Sequence, residues 1–229
     1  MAKTIIVGGF GPGISSAVAR KFGEAGFSVA LVGRSPERLA AGALALDAKG
    51  VKASAFPTDL GDPAAIRSLV GKVRSTFGSI DVLHWNAYGT GAGDLLAADA
   101  AAIRGVFDIA IAGLLTAIQE CLPDLRKSRE SAILVTNGGL GYFDPTMDAM
   151  AVAWGAMGLA LANAAKHKLV GLLAEKLKAD GIYIGEVVVL GAIKGTAFDD
   201  GSAGLAAETV ADRFWQLYTT RKDHTTQVG

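Results

Sequence analysis

Thr4-Ile5-Ile6-Val7-Gly8-Gly9-Phe10-Gly11-Pro12-Gly13-Ile14-Ser15 decides the fold of this 229-residue chain. The apolar run 4–7 predicts a strand, and the pattern over 16–25 predicts a helix. Between them lies a glycine-rich turn. Strand, tight turn and helix in that order aim backbone N–H groups and a helix N-terminus at an anion such as a pyrophosphate. Gly9 supplies the sharp turn, and Gly11 and Gly13, lacking a Cβ, let a phosphate approach the backbone. Pro12 stiffens the loop, which Phe10 and Ile14 complete.

The same alternation continues along the chain. Strands are predicted at 4–7, 28–32, 52–56, 82–85, 132–135 and 182–189, short and rich in Val and Ile. Consecutive apolar positions suit strands covered on both faces. Helical patterns fill 16–25, 36–49, 63–76, 98–122 and 149–179, with a last helix at 206–219. Ser35-Pro36 and Asp62-Pro63 each place a capping side chain before a proline at the first helical position. Gly26, Gly50, Gly78 and Gly181 stand where helices end on a left-handed residue. Repeated βα units imply right-handed crossovers and a parallel sheet. The fold class expected is α/β, a Rossmann-type doubly wound parallel sheet with helices on both faces, as one domain over 1–229. A looser stretch is expected near 195–204.

Charge narrows the partners. Lys plus Arg number 22, as do Asp plus Glu, so the formal net charge is zero. No field gathers a phosphate backbone, and nucleic-acid binding is not expected. The single cysteine, Cys121, lies in a helical pattern with no nearby histidine and reads as a buried structural thiol in a cytoplasmic protein. The N-terminus enters a strand after Lys3, without a signal peptide. The uncharged run 149–165 is short for a span and rich in Ala, Gly and Met, so a core or subunit-contact helix is expected rather than a membrane segment. No metal site is expected.

The second strand ends Leu31-Val32-Gly33-Arg34-Ser35. A carboxylate there would bind ribose hydroxyls and repel a 2′-phosphate. Gly33 brings none, and Arg34 offers a forked donor set for phosphate. NADP(H) is favoured over NAD(H).

These residues together resemble the short-chain dehydrogenase/reductase family over nearly the whole chain. Gly8 to Ser15 corresponds to the family's Thr-Gly-x-x-x-Gly-x-Gly, with Gly8 for threonine and Ser15 for the last glycine. Asp59-Leu60 matches the acidic pair beside the adenine. Trp85-Asn86-Ala87-Tyr88 stands for Asn-Asn-Ala-Gly. The segment from Leu190-Gly191 to Thr196 is similar to the Pro-Gly…Thr segment that holds the nicotinamide carboxamide. The resemblance implies an oxidoreductase for carbonyl and hydroxyl groups. Its cofactor contacts would come from Gly9, Phe10, Gly11, Gly13, Ile14, Arg34, Ser35, Asp59, Leu60, Asn86, Gly191 and Thr196.

Chemistry in the family comes from an Asn-Ser-Tyr-Lys tetrad, in which tyrosine exchanges the proton and lysine lowers its pKa and holds the ribose. Here Ala110 takes the asparagine position and Gly138 the serine position. Counting forward from Gly138 puts Tyr-x-x-x-Lys on Ala151 and Gly155. Counting back from Leu173-Ala174-Glu175-Lys176-Leu177 puts it on Leu159 and Asn163. Neither register holds the motif, and no tyrosine occurs between Tyr142 and Tyr183. Tyr142 is the candidate substitute, with Lys166, His167, Lys168 and Lys194 also within the region. His84 reads as a core or rim histidine, and His224 sits in a polar tail. Tyr142, Phe143, Met147, Met150, Trp154 and Met157 suit an apolar or aromatic ligand, or equally core and subunit packing.

Three functions follow: an NADP(H) oxidoreductase with a non-standard proton donor, a non-catalytic NADP(H) sensor or silent partner of an active relative, and a cofactor-independent lyase. Family members pair through the helices at 98–122 and 149–179, which implies a homodimer or homotetramer, or a hetero-oligomer with an active relative.

Overall fold

The structure is a computed structural model and describes residues 2–196, 198–199 and 201–229. Seven strands form one all-parallel sheet: β1 (Thr4–Gly8), β2 (Ser28–Gly33), β3 (Ala53–Pro57), β4 (Val82–Trp85), β5 (Ala132–Gly138), β6 (Tyr183–Val189) and β7 (Thr225–Val228). Their order is β3-β2-β1-β4-β5-β6-β7. The helices are α1 (Ile14–Glu24), α2 (Pro36–Asp47), α3 (Pro63–Phe77), α4 (Ala100–Phe107), α5 (Leu114–Leu125), α6 (Pro145–Ala153), α7 (Met157–Leu177) and α8 (Ala207–Thr220).

Alternation along the strands divides the core into two layers. Ile5, Val7, Val29 and Leu31 pack under α1, α2 and α8, against Phe22, Leu39 and Phe214. Ile6, Ala30, Leu83 and Ile133 face the other way, against α3, α5 and α7. The doubly wound Rossmann-type architecture is therefore present. The predicted caps form: Ser35 Oγ accepts from Arg38 N at 3.3 Å, and Asp62 Oδ1 from Ala64 N at 2.8 Å. Cys121 is fully buried, and burial pushes its thiol up to about 12.

Three sequence expectations need correction. The predicted helix 149–179 is two helices, starting earlier at Pro145 and broken around Gly155, whose φ is +57°. Loop carbonyls intrude there: Gly93 O accepts from Met157 N and Ala92 O from Gly158 N, at 3.1 and 2.9 Å. The predicted helix 98–122 contains a π-helical segment, Asp108–Gly113. At its end a Cβ on Gly113 would stand 2.1 Å from Leu60 O, so the chain after β3 presses directly on it. The polar tail forms β7, of which only Val228 is buried. With no apolar alternation to announce it, β7 forms through backbone pairing with β6.

The continuous helix Ala100–Leu125 is long and apolar enough to cross a membrane, yet 39% of its most apolar window is buried inside the protein. Leu114, Ile118, Cys121 and Leu125 insert between α3 and the sheet, as a core helix does. The stretch 195–204 carries no regular element among its described residues, and its Ala197 and Asp200 lie outside them.

Candidate functional site

Strand order reverses at β1, which pairs with β2 on one side and β4 on the other. The chains leaving β1 and β4 therefore diverge and open a crevice at the carboxyl edge of the sheet. The glycine turn lies at that point. Gly9 has φ +80° and Gly13, the N-cap of α1, has φ +90°, both in the region that favours glycine. A Cβ on Gly9 would stand 2.6 Å from Ala87 N, and one on Gly13 2.7 Å from Thr196 Cγ2. Thr196, from the loop after β6, thus meets the turn from across the crevice, with its hydroxyl on Ile193 O at 2.7 Å.

The turn is locked from below. Gly9 N and Phe10 N both donate to Val32 O, at 3.0 and 2.7 Å. Asn86 Nδ2 donates to Ser15 Oγ at 2.7 Å, and Ser15 Oγ donates to Gly9 O at 2.8 Å. Ser15, in a glycine position of the motif, therefore ties the turn to the end of β4. Gly8 and Trp85 are paired in register, and a Cβ on Gly8 would stand 3.1 Å from the buried Trp85 ring. These two departures from the motif are one packing adjustment. Beside the N-terminus of α1 a cleft of about 270 Å³ is lined by Gly13, Ser16, Arg20, Lys194 and Glu208, with Arg20 and Glu208 paired at 2.8 Å.

At one end of the crevice, Gly33 lies beneath Phe10 O, and the Phe10 ring fills the notch left by Gly42. Arg34 and Arg38 are both exposed, and neither guanidinium has an ion pair or hydrogen bond among the described residues. Arg38 Nη1 comes within 3.9 Å of a Cβ placed on Gly11, so it reaches the turn. Sequence reading missed Arg38; its position one helical turn after Arg34 was the available signal. Glu37, the nearby acid, is held by Ser35 Oγ at 3.0 Å. Asp59 Oδ1 accepts from Gly61 N at 2.9 Å, and Leu60 is buried beneath the π-helical segment.

At the other end β5 runs into the glycine-rich turn at 138–141. The structure sets Asn163 against Gly138: a Cβ there would stand 2.8 Å from Asn163 Nδ2. Ala151 is buried on α6, Gly155 lies in the helix break, and Leu159 is half-buried on α7. Ala110 is fully buried in an apolar cluster with Ala92, Val106 and Ala162. Lys166 is also buried; its ammonium donates to Thr136 O at 3.1 Å, and burial pushes it down to about 8 against the pull of Glu186. His84 shares Thr136, with Nε2 3.2 Å from the hydroxyl, and desolvation pushes it down to about 3. It is a neutral core histidine.

Tyr142 takes a different direction. Its hydroxyl accepts from Gln227 Nε2 of β7 at 3.0 Å, and its ring meets His167 edge-on. His167 in turn lies 2.6 Å from Glu186 Oε2, a buried carboxylate that also accepts from Asn137 and Thr225. Tyr142 and His167 thus sit over β6 and β7. Tyr88 meets Phe198 with ring centroids 6.1 Å apart, joining the loops after β4 and β6 over the crevice. Phe143 is fully exposed, as are Val152 and Trp154 in large part, whereas Met147 lies against Gly139. Gly191 borders open space, Lys194 and Lys168 are outside the buried set, and His224 stacks on Tyr183. Among the described residues no group of three His, Cys, Asp or Glu side chains is placed to hold a metal.

The family model described as short chain dehydrogenase matches residues 3–201. The 3-oxoacyl-[acyl-carrier-protein] reductase FabG of Staphylococcus aureus (strain Mu50) is 29% identical over 170 residues, 74% of this chain and 69% of its own length. A short chain dehydrogenase from Burkholderia cenocepacia J2315, solved with NADP, superposes with a TM-score of 0.84 at 24% identity, covering 99% of this chain and 96% of its own. The NADH-dependent reductase A1-R′ responsible for alginate metabolism superposes nearly as well, at TM-score 0.83 and 21% identity over 99% and 95% of the two chains. The first of these two was solved with NADP, and the second is NADH-dependent.

Proposed function

Because the chain belongs to the short-chain dehydrogenase family, we propose that it is an NADP(H)-binding oxidoreductase for carbonyl and hydroxyl groups that works without the Asn-Ser-Tyr-Lys tetrad. The observation that carries the cofactor choice is the pair Arg34 and Arg38, two unengaged guanidiniums flanking the end of β2 where a carboxylate would select NAD(H). The turn fits a dinucleotide in that Gly9 and Gly13 take φ +80° and +90°, and their missing Cβ atoms let Ala87 and Thr196 pack against the loop that opens α1. Gly9, Phe10, Gly11, Gly13 and Ile14 would hold the pyrophosphate at the N-terminus of α1. Arg34 and Arg38 would take the 2′-phosphate, and Asp59 and Leu60 would border the adenine. Gly191 and Thr196 would border the nicotinamide, which supplies the hydride when bound. Asn86 and Ser15 act through the turn, as positioning residues.

Absence of the tetrad is supported by what stands in its places: Ala110 in apolar packing, Gly138 without a side chain, and either Leu159 and Asn163 on α7 or Ala151 on α6 and Gly155 in the helix break. That same packing favours a second reading, a non-catalytic NADP(H) sensor or silent subunit. The small residues of α7 and the exposed Leu161 and Leu172 support assembly with another copy of the chain, in the cytoplasm. Calorimetry with NADPH and NADH tests binding, and oxidation of NADPH against a carbonyl panel separates the two readings. Tighter binding of NADPH with measurable ketone-dependent oxidation is expected; binding without oxidation would leave the sensor.

A further inference from the structure

A second cleft lies at the amino edge of the sheet, a strand's length from the dinucleotide crevice. The last turns of α7, the start of β6 and the link from α8 to β7 enclose about 370 Å³ there. That volume falls in the range of small-molecule sites, roughly 300–1,000 Å³. Arg221 lines the cleft and has an unusual backbone. It ends α8 at φ +53°, in the left-handed region where glycine or asparagine is the ordinary choice. Such a conformation costs free energy and persists where its surroundings hold it. Here the guanidinium is held: Nη1 donates to Arg129 O at 3.3 Å and Nη2 to Ser131 O at 2.6 Å. The Tyr183 and Tyr218 rings lie 5.8 and 5.9 Å from its centre. Carbonyls and rings carry no net charge, and Arg221 has no ion pair among the described residues. Its remaining guanidinium N–H groups are therefore rigidly placed and unused.

The rest of the lining defines what completes the site. Lys178 is exposed and has no ion pair or hydrogen bond among the described residues. Glu175, the one acid of the lining, is exposed and likewise unpaired, so two cations stand against one carboxylate. Ala174 and Ile182 add apolar surface. Tyr183 and His224 add a stacked pair, with ring centroids 5.9 Å apart and planes 23° from parallel. Both rings are anchored, His224 Nδ1 2.8 Å from Ile184 O and the Tyr183 hydroxyl donating to Asp223 O. We propose that this cleft binds a small organic acid, with its carboxylate on Arg221 and Lys178 and its apolar body against Ala174, Ile182 and the Tyr183–His224 pair. A guanidinium fork matches a carboxylate through parallel hydrogen bonds, which a preorganised arginine makes at low entropic cost. The site lies at the opposite edge of the sheet from the glycine turn, so its occupation is independent of the cofactor.

Calorimetry with benzoate, benzamide and inorganic phosphate tests the proposal. Benzamide keeps the ring and lacks the charge, and phosphate keeps a charge and lacks the ring. The wild type is expected to bind benzoate about tenfold or more tightly than benzamide, the range of one charge-assisted hydrogen bond. Burial of the ring is expected to place benzoate about tenfold or more ahead of phosphate. Arg221→Asn, whose asparagine tolerates the left-handed backbone, is expected to lose the preference for benzoate over benzamide. If that variant does not fold, the exposed Lys178→Glu carries the test, with benzoate weakened about tenfold or more and benzamide unchanged. Saturation with NADPH is expected to leave benzoate affinity within about twofold. Equal binding of benzoate and benzamide overturns the proposal, as does phosphate bound as tightly as benzoate. A preference that survives both substitutions, or benzoate displaced by NADPH, places the acid elsewhere and overturns it as well.

Discussion

Lys166→Met probes the charge buried beneath the crevice. The lysine is 3% exposed, and burial pushes its amine from the ordinary 10.5 down to about 8, with Glu186 opposing the shift. Below about pH 8 the amine is charged in both folded and unfolded chains, and the folded state carries the full desolvation penalty. Between about 8 and 10.5 the unfolded chain holds the proton while the folded chain has released it. Stability therefore rises with pH through that window and levels off above it. The shift corresponds to about 3 kcal/mol at 1.36 kcal/mol per pH unit, an upper limit because the folded chain relaxes around a buried charge. Methionine keeps the apolar stem and removes the charge at every pH. The stability of the wild type relative to Lys166→Met is expected to climb by up to about 3 kcal/mol from pH 7 to pH 10.5. Glu186 and His167, the titratable neighbours, are present in both proteins and largely cancel in the difference. Urea unfolding followed by circular dichroism at pH 7, 8, 9, 10 and 10.5 gives the curve. A difference that stays flat across the series would refute the desolvated ammonium.

The turn and its flanks give further expectations. Gly9→Ala combines φ +80° with a Cβ 2.6 Å from Ala87 N, so it should cost about 1–3 kcal/mol and weaken NADPH binding at least tenfold; a variant binding as the wild type would refute the close approach. Arg34→Ala with Arg38→Ala should weaken NADPH about tenfold or more and leave NADH within twofold, the effect shrinking at high salt because both groups are exposed. Equal losses for both cofactors in calorimetry would contradict a 2′-phosphate role. Tyr142→Phe removes a hydroxyl held by Gln227 and should cost at most about 1.5 kcal/mol in thermal melts while changing ketone-dependent NADPH oxidation less than twofold. A hundredfold loss of oxidation would make Tyr142 the proton donor.

The βα alternation and the glycine turn were legible because they are local. Each strand is a short apolar run, and the caps at Ser35 and Asp62 act within one helical turn. What escaped was long-range compensation. Gly8 and Trp85 read as two separate departures from a motif, and only the β1–β4 register makes them one contact. Gly138 and Asn163 are likewise partners through space, 25 positions apart in the chain. Loop carbonyls from Ala92 and Gly93 broke the helix predicted over 149–179, which no local propensity announces. β7 formed from Thr-Thr-Gln-Val because β6 offered an open edge, although the segment itself buries little. Arg38 was overlooked because its use depends on the orientation of α2 relative to the turn.

The central claim is that a dinucleotide site survives in a chain whose reaction end has been rebuilt around Gly138 and Asn163. A crystal structure with bound NADPH measures this most directly. The account predicts the pyrophosphate on the Gly9–Ile14 backbone, the 2′-phosphate between Arg34 and Arg38, and the nicotinamide beside Gly191 and Thr196 with no tyrosine hydroxyl facing it. A cofactor bound elsewhere, or a tyrosine hydroxyl facing the nicotinamide ring, would contradict it.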